Sequence, residues 1–155
     1  MKRRKTSLFT ALVLALSLAL SPVSVFAEDL DTPVHEDPID ELQESSGWVN
    51  GHFTVYDGNR YAEFDVRVYC EYNWTEGISS WIDTAVYDVT NPKVNGAACT
   101  SITSYATTRF SRDTCGVAEK RFIFSHPLFS AICVGVAIEV LCDNYGDLSI
   151  SAHVW

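Results

Sequence analysis

Apolar and polar residues alternate most regularly in residues 61–72, YAEFDVRVYCEY. Apolar side chains fall on one side of an extended chain there, and charged side chains fill most positions on the other side. Successive side chains of a β-strand point to opposite sides, so a period of two residues is typical of a strand with one buried face. The pattern therefore predicts a half-buried strand. Its apolar positions are Ala62, Phe64, Val66, Val68 and Cys70.

Six further runs have strand character and are separated by residues that favour turns. Gly and Asn accept a positive φ and Pro fixes φ, so pairs such as Asn95-Gly96 and His126-Pro127 mark turns. Seven short strands in residues 47–155 predict one all-β domain, a small antiparallel β-sandwich with an immunoglobulin-like or meander topology. The six runs lie near residues 48–56, 78–89, 98–110, 115–124, 130–142 and 147–155.

Residues 124–142 form a long, mostly apolar run, and this length is also compatible with a buried helix. Val134, Val136, Ile138 and Val140 occupy alternate positions, and β-branched residues fit the pleated surface of a sheet. A central strand is therefore the prediction.

The first two strands are expected to form a hairpin closed by residues 57–60. On the outer face of that hairpin, Trp48 lies opposite Tyr69. On the inner face, three pairs of apolar residues oppose one another and predict a buried surface. These pairs are Val49 with Val68, Phe53 with Phe64, and Val55 with Ala62.

The third strand decides whether the aromatic pair extends further. If residues 73–77 form a hairpin loop, Trp81 lies opposite Tyr69 and Asp83 lies opposite Arg67. Trp48, Tyr69 and Trp81 would then form an aromatic row suited to stacking on sugar rings or docking a partner protein. If the third strand instead crosses to the other sheet, Trp81 turns inward and the row does not form.

Residues 1–27 have the organisation of a cleaved signal peptide. Basic residues at positions 2–5 precede an apolar run at 8–20, and Val25 and Ala27 supply small residues where a signal peptidase reads. The alternative, a retained anchor helix, needs about 20 apolar residues, and this run is shorter. We therefore predict a secreted chain that begins at Glu28 and has no membrane anchor after cleavage.

Cleavage makes the chain more acidic, because four of the 11 basic residues lie in residues 1–27 and all 20 acidic residues follow them, giving (11 − 4) − 20 = −13. Residues 28–46 contain no Lys or Arg and predict a disordered acidic leader. The leader is either a solubilising spacer or a contact arm for a basic partner or divalent cations. Nucleic acid is disfavoured as a partner, because binding phosphates needs clustered Lys and Arg.

Five cysteines lie in the predicted domain, and an exported protein is expected to cross-link some of its cysteines. Strand direction places Cys70, Cys115 and Cys142 at one pole of the domain, and Cys99 and Cys133 at the other. We predict the disulfides Cys70–Cys142 and Cys99–Cys133, with Cys115 free or competing. A single disulfide, or none, is the alternative.

Seven strands, Cys70 followed eleven residues later by Trp81, and a cysteine on the sixth strand resemble the immunoglobulin pattern. The sequence departs from that pattern because no tyrosine lies two residues before Cys133 or Cys142. The resemblance implies a sandwich architecture and no particular function.

The residues that carry most catalytic chemistry are scattered. There is no Gly-x-Ser-x-Gly or His-Glu-x-x-His spacing, so we expect no enzyme activity, no metal site and no cofactor. His52 is interpreted as a surface partner of Asp65 or Glu63. Asn73-Trp74-Thr75 is a formal glycosylation acceptor on an expected loop.

These observations predict a secreted, non-enzymatic protein that acts by extracellular or cell-surface contact, with a protein or a glycan as its partner. A carbohydrate-binding module that uses Trp48, Tyr69 and Trp81 is the main alternative. A secreted toxin or inhibitor is a further alternative.

Overall fold

Strands account for nearly all the regular structure of residues 41–155, the part of the chain that the computed structural model describes. The predictions for residues 1–27, and for residues 28–40 of the leader, lie outside the described residues. The strands are β1 (Gln43–Asp57), β2 (Arg60–Thr75), β3 (Ser79–Val94), β4 (Ala97–Ala98), β5 (Ser101–Ser104), β6 (Thr108–Arg112), β7 (Cys115–Ser125), β8 (Cys133–Cys142) and β9 (Leu148–Val154).

The first sheet has the strand order β1-β2-β3-β4 and is built from hairpins between consecutive strands. Gly58, with a φ of 59°, lets the chain reverse within two residues between Asp57 and Arg60. This turn confirms the expected register, in which Val49, Phe53 and Val55 lie opposite Val68, Phe64 and Ala62. β1 begins at Gln43, so strand structure starts four residues before the predicted boundary at Gly47.

The second sheet has the order β5-β7-β8-β9, and β6 also pairs with β7. The single strand predicted near 98–110 is divided into β4, β5 and β6. Ser104 pairs with Phe122 and Thr108 pairs with Glu119, so residues 105–107 lie opposite only two residues of β7. One extra residue therefore bends this edge and separates β5 from β6. The Ser- and Thr-rich sequence there has no alternation that would have marked the bend.

The core lies between the inward faces of the two sheets. Alternate residues of β2 are buried, which confirms its period of two. Residues 133–142 form a strand rather than a helix, and this strand is buried on both sides at residues 136–140. The Phe64 and Phe124 rings, one from each sheet, stack with their centroids 5.0 Å apart. The all-β sandwich prediction is confirmed.

The third strand stays in the first sheet, where it pairs with β2 along most of its length. An immunoglobulin-like crossing at this point is therefore wrong, and the chain forms two successive meanders instead. It passes from one sheet to the other between Ala98 and Ser101.

Ser80 joins the two sheets at one pole of the sandwich. Its backbone N–H donates to the Thr114 carbonyl at 2.8 Å, and its Oγ accepts from the Gly116 N–H at 2.8 Å. The same hydroxyl donates to the Cys142 carbonyl. Ser80 is 6% exposed and its polar groups are paired, so its burial carries no unsatisfied hydrogen-bond cost.

Gly116 permits this approach because it has no side chain. A Cβ at Gly116 would lie 2.6 Å from the Trp81 Cα and 2.9 Å from the Ile82 nitrogen. Both atoms belong to the backbone of β3, so neither can move away without shifting the strand.

We therefore expect Gly116→Ala to lower the free energy of unfolding by about 3 kcal/mol, since it forces the sheets apart where Ser80 joins them. Gly47→Ala is the matched control, because its Cβ would meet its nearest neighbour at 3.6 Å and should change stability by less than about 0.5 kcal/mol. Urea unfolding of both variants measures the difference. Equal stabilities would contradict the close approach of β3 to β7.

Candidate functional site

The outward side of the first sheet carries a mixture of aromatic, polar and charged side chains. We call this surface the outer face. The described elements leave it accessible, since its residues are exposed or half-buried. Residues that define its centre are Trp48, Asn50, His52, Arg67, Tyr69, Val86 and Asp88.

An aromatic pair with an arginine lies near one end of the outer face. Trp48 and Tyr69 oppose each other across β1 and β2, with ring centroids 5.2 Å apart and ring planes inclined by 56°. The guanidinium carbon of Arg67 lies 4.0 Å from the centre of the Trp48 ring, within the range of a cation–π contact. Trp48 nevertheless remains 52% exposed. We call these three residues the Trp48 cluster.

The predicted three-residue aromatic row is wrong. Tyr69 lies opposite Val86, and Trp81 lies opposite Asn73, further along the strand. Trp81 does stay on the first sheet and is 38% exposed. The pair expected between Arg67 and Asp83 is also wrong, since Asp88 occupies the position opposite Arg67.

Two local features explain the difference in register. β2 continues to Thr75, so the turn contains only residues 76–78 instead of 73–77. An irregularity between Glu71 and Tyr72 then shifts the pairing with β3 by one more residue. Neither the turn length nor the irregularity has a distinct sequence signal, because both Asn73 and Gly77 suit a turn.

An acidic groove adjoins the Trp48 cluster. It has a volume of about 420 Å³ and shares Tyr69 with the cluster. The Tyr69 hydroxyl lies 3.3 Å from Glu71 Oε1, to which it donates a hydrogen bond. Its other lining residues supply further carboxylate and hydroxyl groups. The lining residues are Glu44, Ser45, Ser46, Tyr69, Glu71, Tyr72 and Asp83.

Asn73 lies in β2 and not on the expected loop. Its Nδ2 donates to Asp83 Oδ2 at 2.8 Å across the strand pair. The amide of the formal glycosylation acceptor is therefore already engaged within the sheet.

His52 confirms its interpretation as part of a surface pair. Its Nδ1 lies 2.7 Å from Asp65 Oδ1, and Asn91 donates to the other carboxylate oxygen at 2.8 Å. The hydrogen bond from Asn91, followed by that from His52, lowers the pKa of Asp65 below its usual value. This arrangement fixes a carboxylate on the outer face and leaves both partners exposed.

All five cysteines are free thiols in the structure, so the predicted disulfides stay predictions. Cys70 from β2 and Cys142 from β8 are both fully buried members of the same core. Burial raises the pKa of each to about 11, and for Cys70 the neighbouring Cys142 adds to the effect. Cys99 packs against the core, and Cys115 and Cys133 are partly exposed.

On the outward side of the second sheet, charged and aromatic side chains contact one another within the chain. Arg112 makes two hydrogen bonds, of 2.8 and 2.6 Å, with Glu139, which is 7% exposed. Trp155 lies against Gly135 and is flanked by Arg121, 5.1 Å from its ring centre.

A second recess lies beside Trp155 and has a volume of about 440 Å³. Tyr105, Arg121 and Trp155 line most of it. Sequence reasoning missed this recess, because Tyr105 reaches it through the bend that divides β5 from β6.

Within residues 41–155, no three His, Cys, Asp or Glu side chains converge in a way that would hold a metal ion. Over the same residues there is no helix with the length and apolar character required to cross a membrane. Comparisons of this chain with protein-family models, with curated proteins and with solved structures give no match.

The exposure of Trp48 has a measurable consequence for stability. We expect Trp48→Ala to lower the free energy of unfolding by less than about 1 kcal/mol, because much of the ring is already in water. Phe64→Ala, which empties a fully buried position, should cost about 3 to 5 kcal/mol. Urea unfolding compares the two. A loss above about 3 kcal/mol for Trp48→Ala would mean that this ring belongs to the core.

Proposed function

We propose that this chain is a secreted, non-enzymatic binding protein that acts through contacts made by the outer face of its first sheet. Export by residues 1–27 is part of the proposal and rests on the sequence pattern alone. The proposal assigns the protein no cofactor.

The Trp48 cluster carries the proposal. Burying an aromatic ring contributes a large contact area at the cost of few rotatable bonds, which is why Trp, Tyr and Arg are frequent at the centres of interfaces. Here the Trp48 ring is already oriented by Tyr69 and Arg67, yet half of the residue faces solvent. A partner would therefore find the ring pre-organised and would lose little entropy in fixing it.

A carbohydrate is the second candidate partner, and the acidic groove favours it. A sugar ring offers an apolar face for Trp48 and hydroxyl groups that donate hydrogen bonds. Glu44, Glu71 and Asp83 place carboxylate acceptors beside the aromatic pair. Because the three aromatic rings do not form a row, a carbohydrate site here would hold only one or two sugar units.

We expect Trp48→Ala to weaken binding of the natural partner by about 10- to 30-fold, because losing a central aromatic contact costs about 2 kcal/mol. Capture from the native medium, run beside a glycan array, identifies the partner, and titration with each variant gives the change in affinity. Tyr145→Ala is the matched control, because Tyr145 is 61% exposed and lies in the β8–β9 turn, which connects strands of the second sheet.

Equal affinity of Trp48→Ala and the parent chain would refute the outer face as the binding surface. Binding to glycans that disappears in Trp48→Ala would favour the carbohydrate candidate. Capture of a protein that disappears in Trp48→Ala, with no glycan bound, would favour the protein partner.

The proposed disulfides would adapt this protein to an oxidising environment. Cys70 and Cys142 face the same core from opposite sheets, so their bond would join the sheets covalently near Ser80. At the other pole, Ser125 pairs with both Ser101 and Cys133, which brings Cys133 towards the strand that follows Cys99. Each bond closes a loop of tens of residues and would contribute about 2 to 4 kcal/mol.

Mass spectrometry of secreted material tests export and cross-linking together. We expect an intact mass for a chain that begins at Glu28, and non-reducing peptide maps that join Cys99 to Cys133 and Cys142 to Cys70 or Cys115. Reduction should shift the midpoint of urea unfolding downwards. A mass that retains residues 1–27, or five alkylatable thiols in the secreted protein, would contradict this part of the proposal.

A further inference from the structure

β1 is the outermost strand of the first sheet, and among the described strands only β2 pairs with it. It pairs along all of Gln43–Asp57 without a register shift, so its other edge is long and regular. The backbone N–H and C=O groups along such an edge are ready to pair with another strand.

The usual protections of an edge strand are missing from the middle of β1. Residues 45–56 contain no Asp, Glu, Lys, Arg or Pro, although the chain as a whole is strongly acidic. Charged side chains, Pro and bulges are the devices that normally prevent edge pairing. An uncharged stretch of backbone therefore lies at the open edge.

The turn at Gly58 determines which backbone groups face this open edge. Residues that flank a two-residue hairpin turn form a hydrogen-bonded pair, and bonded and non-bonded pairs then alternate along the strands. Asp57 and Arg60 are that pair, so the odd-numbered residues of β1 bond to β2. The even-numbered residues, whose side chains lie on the outer face, direct their N–H and C=O groups away from β2.

We propose that β1 pairs with β1 of a second copy of this chain, antiparallel and about a two-fold axis at Asn50. This inference is independent of the proposed function. The inner faces of the two first sheets lie on the same side only if even-numbered residues of one β1 oppose even-numbered residues of the other. A register centred on Asn50 satisfies that condition.

The side chains around Asn50 complement one another in this register. On the outer face, Trp48 lies opposite His52 of the second copy, and Ser46 opposite Thr54, while the two Asn50 amides meet at the axis. On the inner face, Val49 lies opposite Gly51, which the Phe53 ring of its own chain covers, and Phe53 lies opposite Gly47. The segment SGWVNGHFT thus has matched ring and hydroxyl pairs about its centre.

Incomplete burial supports the same partner. Val49 and Phe53 pack against the core but remain partly exposed, and among the described strands none pairs with β1 on its open edge. A second β1 would cover both side chains and extend the first sheet from four strands to eight.

Sedimentation of the purified natural chain from about 1 μM to about 1 mM tests the dimer. We expect a monomer–dimer equilibrium that Asn50→Pro weakens by at least about 30-fold, because it removes the central N–H from both copies. Asn50→Thr retains that N–H and should dimerise like the parent chain. A parent chain that stays monomeric throughout, or equal dimerisation of the Pro and Thr variants, would overturn the proposal. Far-UV circular dichroism establishes that each variant folds.

Cysteine cross-linking tests the register without relying on Asn50→Pro. In Asn50→Cys the two new thiols face each other with Cα atoms about 5.5 Å apart, within disulfide range. Position 54 is also exposed. In Thr54→Cys, however, the two new thiols of the dimer would lie eight strand residues apart, or about 27 Å. With oxidised glutathione, we expect covalent dimers from Asn50→Cys well above the level given by the parent chain or by Thr54→Cys. Equal cross-linking at both positions would overturn pairing centred on Asn50.

Discussion

The burial of inward-facing side chains from β2 against those from β8 is the interaction on which the rest of this structure depends. These strands lie at the middle of their sheets, and their inward residues are almost completely removed from water. Each large side chain buried in this way contributes about 1.5 to 3 kcal/mol. The neighbouring strands add to this contact, and their positions follow from their hairpin connections to β2 and β8.

The sheets also need a fixed relative position, which polar groups supply more specifically than apolar contact does. Ser80 and Gly116 fix one end by direct hydrogen bonding between the sheets. The Tyr87 hydroxyl donates to the Ala118 carbonyl at 2.7 Å further along the same pair of strands, and Gly77 donates to the Asn144 carbonyl at 2.9 Å between two turns. Apolar burial thus supplies most of the stability, while these bonds select one alignment of the sheets.

The sequence predicted those parts of the fold for which local pattern and turn chemistry agree. Alternation identified β2, and a two-residue turn with glycine identified the register of β1 against β2, so Trp48 and Tyr69 could be paired correctly. The register of β3 depends on where β2 ends and on an irregularity at Asp83 of β3, and neither has a distinct sequence pattern. The same reason explains the division at residues 105–107. The sequence pattern therefore predicts a position for Trp81 opposite Tyr69, and the backbone places Val86 there.

The meander topology determines which surfaces remain for function. Because β3 stays beside β2, the first sheet keeps an outer face that the core does not use, and β1 remains at its edge. The Trp48 cluster and the open edge then share one strand, with Trp48 beside the groups that would pair at Asn50. Dimerisation would place two Trp48 clusters on one continuous face, so a partner with repeated epitopes would gain avidity without any new contact. A weak site on each copy is thus compatible with tight overall binding.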